Sequence, residues 1–198
     1  MASLIPDPTR AALLSMDLQA AIVSIYTEGR SEGDEFLPRV AGVLGAARSR
    51  GLKVMHVQVG FRPGLPEISL RNALFAAIKS SPQWQQLFLG PSGAIHPAVA
   101  PQGEEVVVTK HRIGAFAGTD LEMILRANDI GTLVLLGIAT SGVVLSTLLH
   151  AVDADYHVVV VKDCCVDQDA EVHAALVEKV FPRLATVTVA AELIDALS

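Results

Sequence analysis

The sequence predicts an α/β protein: a three-layer α/β/α, Rossmann-like arrangement on a doubly wound, six-stranded parallel sheet. Three observations predict it. Six short apolar runs are spaced along the chain, and stretches of helical periodicity lie between most of them. Hydrophobic residues make up 51% of the 198 positions, yet no apolar run approaches the length of a bilayer span, which needs about 20 residues. Parallel strands covered on both faces read as continuous apolar segments. Strand alternating with helix gives the layered architecture.

The runs are "AALLSM" (11–16), "KVMHVQV" (53–59), "EVVVTK" (105–110), "TLVLLG" (132–137), "HVVVVK" (157–162) and "TVTV" (186–189). Between the first two, Phe36, Leu37, Val40, Val43, Leu44 and Ala47 form one helical stripe, which Gly51 ends. Thr119 and Glu122 have the spacing of a capping box before "LEMILRAND". Val172, Leu176 and Val180 share a face that ends before Pro182. The whole chain, 1–198, is expected to be a single domain. Its irregular part is 60–104, which holds six of the ten prolines and the lone tryptophan. Long segments of this kind are usually functional or locally folded, so it is read as an active-site cover containing short helices.

Composition excludes several classes. Net charge is −6, and the 15 basic residues are scattered apart from "KHR" at 110–112. A nucleic-acid partner would call for a basic stripe with stacking aromatics. The N-terminus "MASLIPDPTR" interrupts with prolines and an acid the apolar core that a signal peptide requires. Cys164 and Cys165 are adjacent, an arrangement unsuited to a mutual disulfide or a spaced metal site. A reduced, cytoplasmic setting is the resulting expectation, with no membrane partner and apolar surface to spare for a homo-oligomer.

No dinucleotide or phosphate-loop signature follows the first strand, and no G-x-S-x-G elbow is present. The histidines lack metal-ligand spacing, and His56, inside a strand, reads as core. No cofactor or metal is therefore expected, and the partner is a small molecule. Ligands of such sheets bind beyond the carboxyl ends of the strands, where strand order reverses. Asp17 ends the first strand and Lys110 the third. The order 2-1-3-4-5-6 would set them side by side, as a site or as a structural salt bridge. Arg62 after the second strand is a candidate carboxylate clamp or a solvated rim charge. Gln19, Phe61, Trp84 and Phe116 are candidate pocket walls or, for the apolar ones, core.

The segments "LLSMDLQAAI", "VVVTKHRIGAFAGTDLEMIL", "LVLLGIATSGVVLSTLLHAVDADYHVVVVKDCC" and "HAALVEKVFPRLATV" resemble the isochorismatase-like, or cysteine hydrolase, superfamily over nearly the whole chain. The resemblance implies hydrolysis of small amides or related compounds by an Asp-Lys-Cys triad, with Asp17 and Lys110 in the first two places. It implies dimers or larger oligomers, and a non-proline cis peptide at Ile138–Ala139. It also places Ala139, Gly142 and Val143 at the substrate.

Counted from Gly137, the position of the family's nucleophilic cysteine is Val143, which offers no lone pair or proton. Ser141 and Thr140 stand nearby, but a shift of two positions on a helix turns a side chain by about 200°, and N-capping is their alternative role. A thiol-free branch of the same family cleaves a vinyl ether with the aspartate as proton donor. Three readings follow: a hydrolase using Asp17 and Lys110 without cysteine, a thiol amidase using Cys164 or Cys165, and a non-catalytic binder or scaffold.

Overall fold

In the computed structural model, which describes residues 4–29, 33–90 and 93–198, six parallel strands form one sheet. They are β1 (Ala11–Met16), β2 (Lys53–Val59), β3 (Val106–Lys110), β4 (Thr132–Ile138), β5 (His157–Val166) and β6 (Thr186–Thr188). The helices are α1 (Ala20–Thr27), α2 (Gly33–Arg50), α3 (Ala73–Ser80), α4 (Pro82–Leu89), α5 (Leu121–Ala127), α6 (Leu145–Asp153), α7 (Ala170–Ala175) and α8 (Ala190–Leu197). Among the described residues, no helix is long and apolar enough to cross a membrane.

The strand order is β3-β2-β1-β4-β5-β6, which corrects the 2-1-3-4-5-6 expected from sequence. Every residue of β1 and of β4 is buried, as central strands with both faces covered require. β1 pairs with β2 on one side and β4 on the other. β3 pairs with β2 and stands at the edge, where Val107 and Thr109 are exposed. An apolar run of valines does not reveal that every second side chain faces solvent. The order reverses between β1 and β4, so the crevice lies there and not between β1 and β3.

The expected stripe of α2 buries Phe36, Val40, Val43, Leu44 and Ala47, and α2 packs against α8. Right-handed crossovers then put α5 and α6 on the opposite face. The capping box is replaced by a shorter arrangement. Thr119 Oγ1 accepts from the Leu121 N–H (3.3 Å), while Glu122 turns to Arg126 (2.7 Å).

β1 and β4 approach closely at their carboxyl ends. Met16 pairs with Gly137, whose φ is +140°. A Cβ on Gly137 would fall 2.0 Å from the Met16 carbonyl oxygen, so only glycine fits.

The edge strand is held by charge. Arg48 from α2 donates twice to Glu105, just before β3, at 2.7 and 2.9 Å. The same carboxylate receives His56 of β2 at 3.0 Å, and His56 is fully buried, as its place in the strand suggested. Burial works to raise the Glu105 carboxyl, but hydrogen bonds from Arg48, the Gln102 N–H and His56 outweigh it and hold the group at about 2 instead of 4.5. A folded value below the unfolded one contributes stability above about pH 4.5 that is lost as pH falls towards 2. Glu105→Gln should cost about 2 kcal/mol at pH 7. Urea denaturation should show the wild-type advantage shrinking between those two pH values; an advantage independent of pH would assign the cost to packing.

Candidate active site

Asp17 follows β1 with φ +55°, a left-handed conformation that turns the chain sharply at the sheet rim. Its N–H donates to the Val57 carbonyl of β2 at 2.8 Å, which fixes that turn. Lys110 is the last residue of β3. With β2 between them, the two backbones are about two strand spacings apart, roughly 9.6 Å. The lysine side chain crosses the carboxyl end of β2, and its Nζ meets Asp17 Oδ2 at 2.8 Å. The pair predicted from the ends of the first and third runs therefore forms although the strands are not neighbours. A four-carbon stem supplies the reach that adjacency was expected to give.

Lys110 is 3% and Asp17 6% exposed. Nζ also donates to the Arg112 carbonyl at 3.1 Å. Asp17 Oδ1, by contrast, has no hydrogen-bond donor among the described residues. Burial raises the Asp17 carboxyl, and the attraction and hydrogen bond of Lys110 offset that in part. The acid thus keeps its proton to a higher pH than a solvated aspartate does.

Both residues line a cavity of about 300 Å³ at the carboxyl ends of the strands. Its floor includes Ile138, Ala139, Gly142 and Val143 from the end of β4 and the turn after it. The Ile138–Ala139 peptide is cis. Ile22, Ile25 and Tyr26 of α1 form one wall; Phe75 and Ile78 of α3 and Trp84 and Phe88 of α4 form the roof. The helices of the 60–104 segment thus lie over the rim; its residues 91–92 are outside the described residues.

Other candidates lie elsewhere. Gln19 is buried beside the cavity but spends its amide on the backbone: Nε2 donates to Val59 O (3.0 Å) and Gly93 O (2.6 Å), and Oε1 accepts from the Val59 N–H (2.8 Å). It clasps the cover segment to β2. Phe61 packs edge-on against Phe75 (5.6 Å) and Phe88 (6.1 Å), in a small apolar cluster of the cover itself. Phe116 stacks on His150 at 4.3 Å. The Arg62 side chain is 71% exposed and pairs with Glu67 at 2.5 Å, so it is not brought to the cavity.

Thr140 and Ser141 do not cap a helix with their side chains. Thr140 is buried, its Oγ1 at 2.8 Å from His173 Nδ1, and the Ser141 N–H donates to Asp167 Oδ2 at 2.7 Å. The cysteines are buried in β5, and neither lines this cavity. Burial pushes the Cys165 thiol up to about 12 and Cys164 higher still, so both are protonated at neutral pH.

Sequence reasoning missed Ile22, Ile25 and Tyr26, although their i, i+3, i+4 spacing marks a common helix face. It also missed Gln168, which lines the cavity just beyond β5; the rule that sites gather at carboxyl ends of strands pointed there.

Lys110→Met should leave the Asp17 carboxyl buried without its cation. The expected loss is about 3 kcal/mol at pH 8. Part should return as pH is lowered and Asp17 takes up a proton, because a raised acid group favours the folded state below its folded value. Denaturation of the single variant and of Asp17→Asn/Lys110→Met measures this. A double variant no more stable than the single one would show that the pair is not the source of the loss.

Comparison with known proteins gives concordant matches. The model of the isochorismatase domain matches residues 11–192. An uncharacterised isochorismatase family protein, YecD, of Escherichia coli O157:H7 is 32% identical over 190 residues, 94% of this chain and 95% of that protein. Maleamate amidohydrolase of Pseudomonas putida is 31% identical over 138 residues, 69% of this chain and 62% of the amidohydrolase. The solved structure of an isochorismatase family protein from Burkholderia thailandensis superposes with a TM-score of 0.80 at 32% identity, covering 100% of this chain and 99% of that one.

Proposed function

Since this chain belongs to the isochorismatase family, we propose that it is a hydrolase of small molecules that acts without a cysteine nucleophile, through Asp17 and Lys110. The observation that carries the reading is the buried 2.8 Å pair whose second carboxylate oxygen, Oδ1, has no hydrogen-bond donor among the described residues and lies beside the cavity. A buried charged pair gives little net stability, which supports a chemical use for it. The amidohydrolase among the relatives supports an amide-type bond as the target.

In this reading a water molecule lies between Asp17 Oδ1 and the substrate carbonyl. Asp17, as carboxylate, takes a proton from the water as its oxygen bonds to the carbonyl carbon. The same proton then passes to the leaving nitrogen as the carbon–nitrogen bond breaks. One water is consumed, and an acid and an amine are released. Lys110 holds the carboxylate in place and offsets the negative charge that grows on the carbonyl oxygen. Val143, which the family resemblance sets at the position of the thiol, has no atom that could form a thioester, so the scheme has no covalent step. The raised Asp17 carboxyl suits a proton exchanger, which works best near the ambient pH.

Asp17→Asn should lower kcat/KM by about 10²- to 10⁴-fold on any amide that the wild type hydrolyses, because the carboxamide keeps the size and cannot take the proton. Activity should survive Cys164→Ala, Cys165→Ala and thiol alkylation. Its acidic limb should shift to higher pH in Lys110→Met, where the acid has lost its cation. Loss of activity on alkylation, with Asp17→Asn still active, would transfer the chemistry to a thiol. Binding of small amides with no turnover by any of these proteins would make the site a receptor.

A further inference from the structure

We infer that the ligand of this cavity is an uncharged molecule with one polar, amide-sized head and an aliphatic or aromatic body, and that a charge on that body, a carboxylate above all, is selected against. This rests on the hydrolase reading only for what happens to the head; the selection of the body is argued from the walls.

Asp17 and Lys110 are the only charged side chains that line the cavity among the described residues. They are joined at its floor, and Lys110 gives a further hydrogen bond to the Arg112 carbonyl. A ligand that presents its reacting head to this pair leaves no second cation for a distant carboxylate among the described lining residues. Three cations close in sequence to the lining are committed elsewhere: Arg62 to Glu67, Arg112 to the carbonyls of Glu67 and His111, and Lys79 to the carbonyls of Leu65 and Ile68. A carboxylate at the far end of the ligand would lie among Ile22, Ile25, Leu74, Ile78, Trp84 and Ile113, apolar side chains that displace part of its water and offer it no hydrogen bond; Tyr26 and Gln168 are the uncharged polar side chains of the lining.

The mouth carries the complementary signal. Leu74 is 57% exposed, Trp84 42%, and Ile25 and Ile113 38% each. All four line this one cavity, although large apolar side chains are ordinarily scattered singly over a surface. Together they offer apolar area that an apolar body would cover as it passes from the mouth to the pair. The volume of about 300 Å³, at about 30 Å³ for each water displaced, corresponds to on the order of ten non-hydrogen atoms. An amide with a short alkyl chain or a single ring has that size.

The test uses matched pairs of equal length: pentanamide against succinamate, and 4-ethylbenzamide against terephthalamate. Binding to the full chain is read by calorimetry and turnover by ammonia release. The neutral member of each pair should bind and react on the order of 100-fold better than the anionic one, as an unpaired buried charge implies, and benzamide should exceed acetamide. Trp84→Arg adds a guanidinium at the mouth and should narrow the neutral-to-anionic ratio at least about tenfold, since it supplies the missing partner. Leu74→Arg, at a more exposed position, repeats the test without reliance on one folded variant. An anionic member that binds as well as its neutral partner overturns the inference, as does failure of every neutral member to bind. Neutral ligands that bind selectively without being cleaved uphold the ligand class and refute the hydrolase reading, so the two fail separately.

Discussion

A lysine ammonium and an aspartate carboxyl, both withdrawn from water at the rim of the sheet, are the constraint around which the site is arranged. Each is costly to bury alone. Contact between them requires Asp17 to leave β1 in a left-handed turn, β2 to end below the crossing lysine, and β3 to be held in register at the sheet edge. The Arg48–Glu105–His56 cluster meets the last demand at the opposite end of the strand. An edge strand with exposed Val107 and Thr109 has little core of its own to fix it. Charge therefore anchors both ends of β3, one end serving the fold and the other the cavity.

The division of labour around the cavity follows from the sheet. Parallel strands bring their carboxyl ends to one rim, so Asp17, Val59, Lys110 and Ile138 converge there from four strands or the residues just after them. What lies above comes from the connection between β2 and β3. Its helices are too short to be stable alone, and they are joined by an apolar cluster built on Phe61, Phe75 and Ile78. The aromatic candidates for pocket walls thus part three ways: Phe61 builds the cover, Trp84 meets the cavity, and Phe116 packs into the main core beside His150.

Much of this could be read from the chain, for a physical reason in each case. Strands buried on both faces leave continuous apolar runs, and all six start within one residue of their expected positions: "AALLSM" and "KVMHVQV" match β1 and β2 to the residue. Asp17 and Lys110 could be found because charged residues at the ends of such runs are conspicuous. Strand order could not, since hydrophobicity records that a strand is covered and not which neighbour covers it. Arg62 and Gln19 were misplaced for a related reason: a side chain's chemistry does not say what it is already bonded to. Arg62 has Glu67 five residues away, and Gln19 meets backbone groups of Val59 and Gly93 that only the folded chain assembles.

The Gln19 clasp has a consequence for how such proteins diversify. The cover leaves the rim at Gly60, whose N–H donates to the Lys110 carbonyl (3.1 Å), and returns at Gly93 and Ala94, which accept from Gln19 and from the Ala20 N–H. Its two ends are therefore sewn to the sheet independently of what lies between. The excursion behaves as a closed loop, and doubling the length of such a loop costs only about 0.6 kcal/mol in closure entropy. Residues can be inserted, removed or exchanged between the two seams with little transmitted to Asp17 and Lys110. The walls above the cavity and the ion pair below it are thus written in separable parts of the chain, and a lineage can redraw the first without rebuilding the second.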